Sequence, residues 1–325
     1  MDPRREAHER LGGTYDVRVL EPSPPPVTDP PWFADDPVAR GDAPSGTRVV
    51  SPVATGDLTW DDLCSDDPTL RDWCSVRWLA ARRRLQAPVD RDALVATRRA
   101  WHALAEHVLA PARHAATGKI GLRYTRHGFG TPWFAAPGPV QLRVEGADVV
   151  LDAHDAERRE PVTTLDAVAQ LAGRAPGPVP DLYDATTPLE PDAPLTVDPA
   201  AAALLGDWFG FGATVLEQLR AEATPGDGSS RVQLWPEHFD LSVDVGDEGA
   251  GARGTFGASP GDDVHPEPYL YVTHWADVPP DPYWADTTFG GASLPLSALV
   301  AAEDQVEAAL AFFRRGHALL GTAGA

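Results

Sequence analysis

The sequence predicts an α+β protein of two related halves, each a long helix followed by an antiparallel β-meander and a further helix. Three observations carry that expectation. Apolar residues recur at helical spacing in a few long stretches that open on capping residues. Between them lie short runs of period-two alternation bounded by turn formers, the pattern of antiparallel strands rather than βαβ units. Finally, Lys119-Ile-Gly-Leu122 matches Arg231-Val-Gln-Leu234, each opening the strand region that follows a long helix.

With one residue of slippage the match extends to His127-Gly-Phe129 and His238-Phe239. It continues more loosely in Thr164-Leu-Asp-Ala-Val168 and Pro295-Leu-Ser-Ala-Leu299. Superimposable halves would pair their sheets about a pseudo-twofold axis and put His127 and His238 at related positions. Chance recurrence of helix-then-meander units is the competing explanation.

In chain order, residues 1–57 read as an extended, proline-rich segment, with EPSPPPVTDPP at Glu21–Pro31 anchored by Trp32 and Phe33. Residues 58–176 form the first half. Asp67 caps a helix with Pro68 at its first position, and Leu70, Trp73, Cys74 and Trp78 share a core-facing side. Asp90 to Ala116 is a second helix, kinked or ended at Pro111. Its stripe is Trp101, Leu104, Val108 and Leu109, leaving His102, His107 and His114 as surface or boundary residues.

Lys119–Tyr124 reads as a strand and Gly128–Gly130 as a turn or bulge. Val140–Val144 and Val149–Ala153 make a hairpin around Gly146-Ala147, and Thr164–Ala172 a helix ended by Gly173. Residues 177–197, rich in Pro, Asp and Thr, read as a linker to the second half, 198–325. There Asp198 caps a helix to about Ala223; Asp207 interrupts its apolar run, so it reads as a buried helix rather than a membrane span. Arg231–Val245 reads as one strand bent at Pro236, Gly249–Pro268 as a glycine-rich connection, Tyr269–Val272 as a strand and Ser293–Leu320 as the last helix.

Composition limits the partners. Twenty-seven basic against 48 acidic residues give a net charge of -21, which disfavours nucleic acid and anionic membrane surfaces. Lys119 is the only lysine. Cys64 and Cys74 form neither a disulfide framework nor a CxxC pair, and MDPRREAHERL lacks the apolar core of a signal peptide; both point to a reduced, cytoplasmic setting.

The densest chemistry lies in RVQLWPEHFDLSVDV. As one strand it would put His238, Asp240, Ser242 and Asp244 on a polar face and point Glu237 with Phe239 into the core. Glu237, His238 and Asp240 are the candidate catalytic residues, since histidine with carboxylates suits general acid/base work. The plain alternative is a hydrogen-bonded strand end. His238, Asp240 and His265 are the candidate ligands of a divalent metal, with Asp262, Asp263 and Glu267 on the same glycine-rich loop. Trp235, Tyr269, Tyr271, Trp133 and His127 are the candidate ligand-binding residues of an aromatic, acidic cleft, weighed against rings that simply fill the core. The first functional expectation is small-molecule binding near 235–240. The alternatives are a metal-assisted hydrolase using His238 and Asp240, and a structural or interaction protein.

LWPEHFDLSV, GASPGD and EPYLYV, together with KIGLRYTRHGFGTPWF and YDVRVLEPSPP, resemble a family of uncharacterised actinobacterial proteins over most of the chain. The resemblance implies one shared architecture and an intracellular setting. The family carries no assigned activity, so no catalytic role comes with it.

Overall fold

Asp90 starts the first helix by accepting a hydrogen bond from the Ala93 amide at 3.0 Å, a side-chain N-cap. A computed structural model describes residues 85–321, apart from 88–89, 126, 136–138 and 154–155. The proline-rich segment, the Trp73/Trp78 helix and both cysteines lie outside the described residues.

Helix α1 (Arg91–Leu104) runs into one π-helical turn (Ala105–Leu109) and then α2 (Ala110–Thr117), which Gly118 stops at φ 70°. Pro111 does not end the stretch, which continues to Thr117. It lacks the N–H that would bind the His107 carbonyl four residues back. That carbonyl instead accepts from Gly177 N at 2.9 Å, and the Pro111 carbonyl accepts from the Arg174 guanidinium. The π turn therefore anchors the irregular segment that follows residue 173.

The first sheet runs in the order β1 (Arg123–Thr125), β2 (Gly128–Gly130), β4 (Pro139–Glu145), β5 (Asp148–Asp152), β6 (Glu157–Pro161), with β3 (Phe134–Ala135) also on β4. Helix α3 (Leu165–Leu171) follows, capped by the Thr164 side chain. Residues 177–197 carry no helix or strand. Helix α4 (Pro199–Glu222) opens the second half on an Asp198 cap. The second sheet is β7 (Gln233–Trp235), β8 (Asp240–Val245), β9 (Gly254–Ser259), β10 (Tyr269–His274), β11 (Ala292–Pro295), antiparallel in chain order. Helices α5 (Leu296–Ala301) and α6 (Gln305–Gly321) end the described fold.

Each half is thus helix, antiparallel meander, helix. The matched tetrapeptides meet: Leu122 and Leu234 exchange both backbone hydrogen bonds, at 2.7 and 2.8 Å, in an antiparallel bridge between the two sheets.

Helix α4 is the shared centre. It packs on β1 and β2 of the first sheet and on β8 and β9 of the second. This burial accounts for its apolar length; Leu205, Trp208, Phe209, Val215 and Leu216 are fully enclosed. Two helical glycines permit the approach: a side chain at Gly206 would strike the His127 backbone, and one at Gly212 the Ala258 methyl. Where the sheets meet, Phe129, Phe209 and Phe239 stack edge to face with centroids 5.1–6.2 Å apart.

Several elements differ from expectation. Gly128–Gly130 is strand rather than turn; the missing side chains let β2 lie close against Val144 and Arg143 of β4. The glycine-rich 249–268 connection contains a central strand, β9. Its Gly257 leaves room for the Tyr271 ring from the next strand. The last helix is preceded by β11 and interrupted after Ala301. His107 is fully buried rather than a surface or boundary residue, while His102 lies at the boundary. Most important, Arg231–Val245 is a hairpin, not one strand.

Candidate functional site

The hairpin turn makes the site. Pro236 cannot extend the ladder. Phe239 closes the turn by donating its N–H to the Trp235 carbonyl at 2.7 Å, with φ 53°. A left-handed phenylalanine costs roughly 1–2 kcal/mol, and full burial of the ring returns about 1.5–3 kcal/mol. The fold adopts the turn because the Phe239 ring fills the aromatic junction. Glu237 and His238 are thereby lifted to the tip, while Asp240 is held at the base opposite Trp235.

Asp240 is only 5% exposed. Its Oδ2 accepts a hydrogen bond from the Tyr271 hydroxyl. The register Ser242–Gly257–Tyr271 explains the reach, because the tyrosine ring crosses β9 over the bare glycine. Asp240 Oδ1 and Glu237 Oε2 are buried without a hydrogen-bond donor. Burial above all, with the Glu237 charge adding to it, pushes the Asp240 carboxyl up to about 6; the Tyr271 hydrogen bond and His238 oppose the shift.

A second wall comes from the π turn. Glu106, fully buried, accepts from the Thr186 and Thr187 amides at 2.9 and 2.8 Å and from both hydroxyls. These bonds hold the 183–187 segment, and with it Tyr183, whose hydroxyl is buried without a hydrogen-bond partner. Burial, then the charges of Glu106 and Glu237, drive that phenol well above its usual range. His102 ties the walls together. It stacks on Phe239 with centroids 5.0 Å apart, and its Nε2 lies 2.9 Å from the Pro236 carbonyl and 3.3 Å from Thr186 Oγ1. Burial lowers its pKa, against the pull of Glu106.

Along β10 the acid–phenol pattern continues. The Tyr269 hydroxyl donates to Asp262 at 2.7 Å, and the other Asp262 oxygen accepts from the Val264 and His265 amides at 2.7 Å each. His265 Nε2 lies 3.0 Å from Asp286.

Of the residues the sequence singled out, Glu237, Asp240 and Tyr271 come together, with Trp235 paired across the ladder from Asp240 and Tyr269 beside Tyr271. His238 does not share the strand face with Asp240; it is exposed on the turn. His265 turns to Asp262 and Asp286. Trp133 is buried at 2% beside the first sheet, and His127 sits exposed in the β1–β2 turn at φ 66°. Among the described residues no group of three or more His, Cys, Asp or Glu side chains is placed to hold a metal ion, so His238, Asp240 and His265 do not form a ligand set.

Sequence reasoning missed Glu106, Tyr183 and Asp286. Glu106 lies off the 3.6-residue stripe and reaches the interior only through the π turn; the proline five residues on was the available signal. Tyr183 sits in what read as a linker. A surface groove of about 640 Å3 lies elsewhere, between β6 and α3. Its Arg158, Arg159 and Gln170 are engaged by the Leu171 carbonyl, by Asp148 and Glu145, and by Asp166. It therefore offers fewer unmet polar groups than the Asp240 site. No family model, curated protein or solved structure matches the chain, and the chemistry of this site rests on its own geometry.

Proposed function

We propose that the protein binds a small polar molecule at Glu237 and Asp240, between the hairpin turn and the Tyr183–Thr187 segment. One observation carries this reading: two neighbouring carboxylates each keep a buried oxygen with no donor. Buried acceptors of that kind cost about 1–3 kcal/mol each unless something satisfies them. Trp235, Tyr183 and Tyr271 supply the aromatic wall typical of ligand sites. The experiment is a thermal-shift screen of metabolite-sized compounds against wild type and Asp240→Asn. A compound that stabilises only the wild type supports the reading. Equal responses, or none across the screen, overturn it.

The raised Asp240 pKa favours a second reading, an enzyme with Asp240 as general acid or base. A carboxyl titrating near 6 and hydrogen-bonded to Tyr271 is poised for proton transfer near neutral pH. Turnover of a compound found in the screen, lost in Asp240→Asn, distinguishes it from binding alone.

A further inference from the structure

We infer that the group this site takes is the ammonium head of a small primary amine. The inference rests on the binding reading above and narrows its ligand class.

An acidic pair alone would not select a cation. The decisive feature is Asp240, 95% buried or more, with Tyr271 occupying Oδ2 and nothing occupying Oδ1. Among the described residues no arginine or lysine lies within salt-bridge distance of Asp240 or Glu237. A paired cation normally explains a buried carboxylate, and here no described residue supplies that counter-charge. Glu237 Oε2 is a second unsatisfied acceptor within electrostatic reach of Asp240, and the Tyr183 oxygen a third polar atom within reach of Glu237. A primary ammonium carries three donors and no acceptor, which complements such a set. Trp235 stands opposite Asp240 across the β7–β8 ladder and is half-buried, available to flank a cation with its ring face. The net charge of -21 attracts cations to the molecule as a whole.

The groups facing Asp240 are Tyr271 and Tyr269 from β10 and Glu237 and His238 from the turn. A cation binds the ionised carboxylate, so its affinity is full above pH 7 and falls as acid protonates Asp240 below about 6.

The test uses n-butylamine, n-butanol and butyrate, which share a four-carbon tail and differ only in head group. Titration calorimetry at pH 7.5 in about 0.15 M salt, where exposed charges are screened, compares wild type, Glu237→Gln and Asp240→Asn. Thermal melts confirm that each variant is folded. The expectation is binding of the amine alone, weakened roughly tenfold or more in each variant, as for loss of one charged hydrogen bond. Wild-type affinity should fall about tenfold from pH 7.5 to 5, since protonation of a group near 6 removes that fraction of binding sites. Binding of the alcohol or acid that depends on Asp240 overturns the amine assignment and leaves the binding reading standing. Amine binding indifferent to both variants places the cation on the acidic surface and overturns the assignment. No response to any probe overturns it too, and the broader screen then decides the parent reading.

Discussion

The two sheets share an order of elements but neutralise their carboxylates differently. On the outer face of the first sheet, Glu145, Asp148, Asp152 and Glu157 each lie within 3.1–3.6 Å of Arg143 or Arg159. On the corresponding face of the second sheet, Asp240 meets the Tyr271 hydroxyl and faces Glu237. Asp244, farther along, is satisfied by Thr255 at 2.8 Å, so the departure is local to the hairpin base. One face obeys the rule that charges are paired, and the other breaks it at one place. A local violation inside an otherwise consistent fold is where a functional site is expected.

The aromatic junction holds both sheets, and breaking it should have the largest effect. Phe239 is 1% exposed and touches Phe129 from the first sheet, Phe209 from α4 and His102 from α1. Phe239→Ala should destabilise the protein by roughly 3–5 kcal/mol. Denaturant unfolding checks this, and a single shared transition for both halves would show that they unfold together. A loss well under that range would mean the junction collapses around the cavity.

Asp240→Asn should move the other way. Folding raises the Asp240 pKa, so the native state holds this proton more tightly than the unfolded chain. Its contribution to stability is greatest below the ordinary carboxylate range and is lost as pH rises through about 6. The amide removes that penalty and still accepts from Tyr271. At pH 7 the variant should gain on the order of 2–3 kcal/mol, and the gain should vanish near pH 4. An equivalent cut in the first sheet, Arg143→Met, should destabilise instead, because it removes the largely buried ion pairs of Arg143 with Asp152 and Glu157. Stability curves of both variants across pH sharpen the contrast between sheets. A destabilised Asp240→Asn would show that the carboxylate is paired after all.

Much of the architecture was legible. The Asp198 cap, the Gly146 hairpin and the helix stop at Gly173 follow from local chemistry within a few residues. The match of Lys119–Leu122 with Arg231–Leu234 located the bridge between sheets. What failed were features decided by tertiary contact. Gly257 reads as loop punctuation, yet it sits mid-strand because Tyr271 needs its space. LWPEHFDLSV alternates well enough for a strand; the turn at Phe239 is favoured by rings from three distant elements. Half of the candidate site was therefore singled out in the sequence, Glu237 and Asp240 with Tyr271. The other half, Glu106 and Tyr183, was hidden by a π turn and an irregular segment that no periodicity reports.

That hidden half gives a smaller prediction. Thr187→Val removes a hydroxyl donor from the fully buried Glu106 carboxylate while leaving the Thr187 amide bond. The cost should be about 1–3 kcal/mol, confined to the 183–187 segment. Hydrogen exchange at those amides should quicken while the second sheet stays protected. Equal loosening everywhere would show the segment to be part of the global core rather than a wall of the site.

The smallest effect should come from His238, the residue the strand reading put at the centre. It stands exposed on the turn, and none of its hydrogen bonds holds the hairpin, which is closed by Phe239 N to Trp235 O and by His102 to the Pro236 carbonyl. His238→Ala should change stability by less than about 0.5 kcal/mol, as surface substitutions do. Its link to the site is electrostatic: the imidazolium lowers the Asp240 pKa. Without it the Asp240 titration should shift upward, by a fraction of a unit for an exposed, screened charge. Carboxyl carbon-13 shifts of Asp240 followed by NMR through pH 4–8 in both proteins measure this directly. A large loss of stability would instead make His238 a structural partner of the turn. An unmoved Asp240 titration would detach it from the site altogether, leaving Glu237 and Tyr271 as the groups that set the carboxylate's charge.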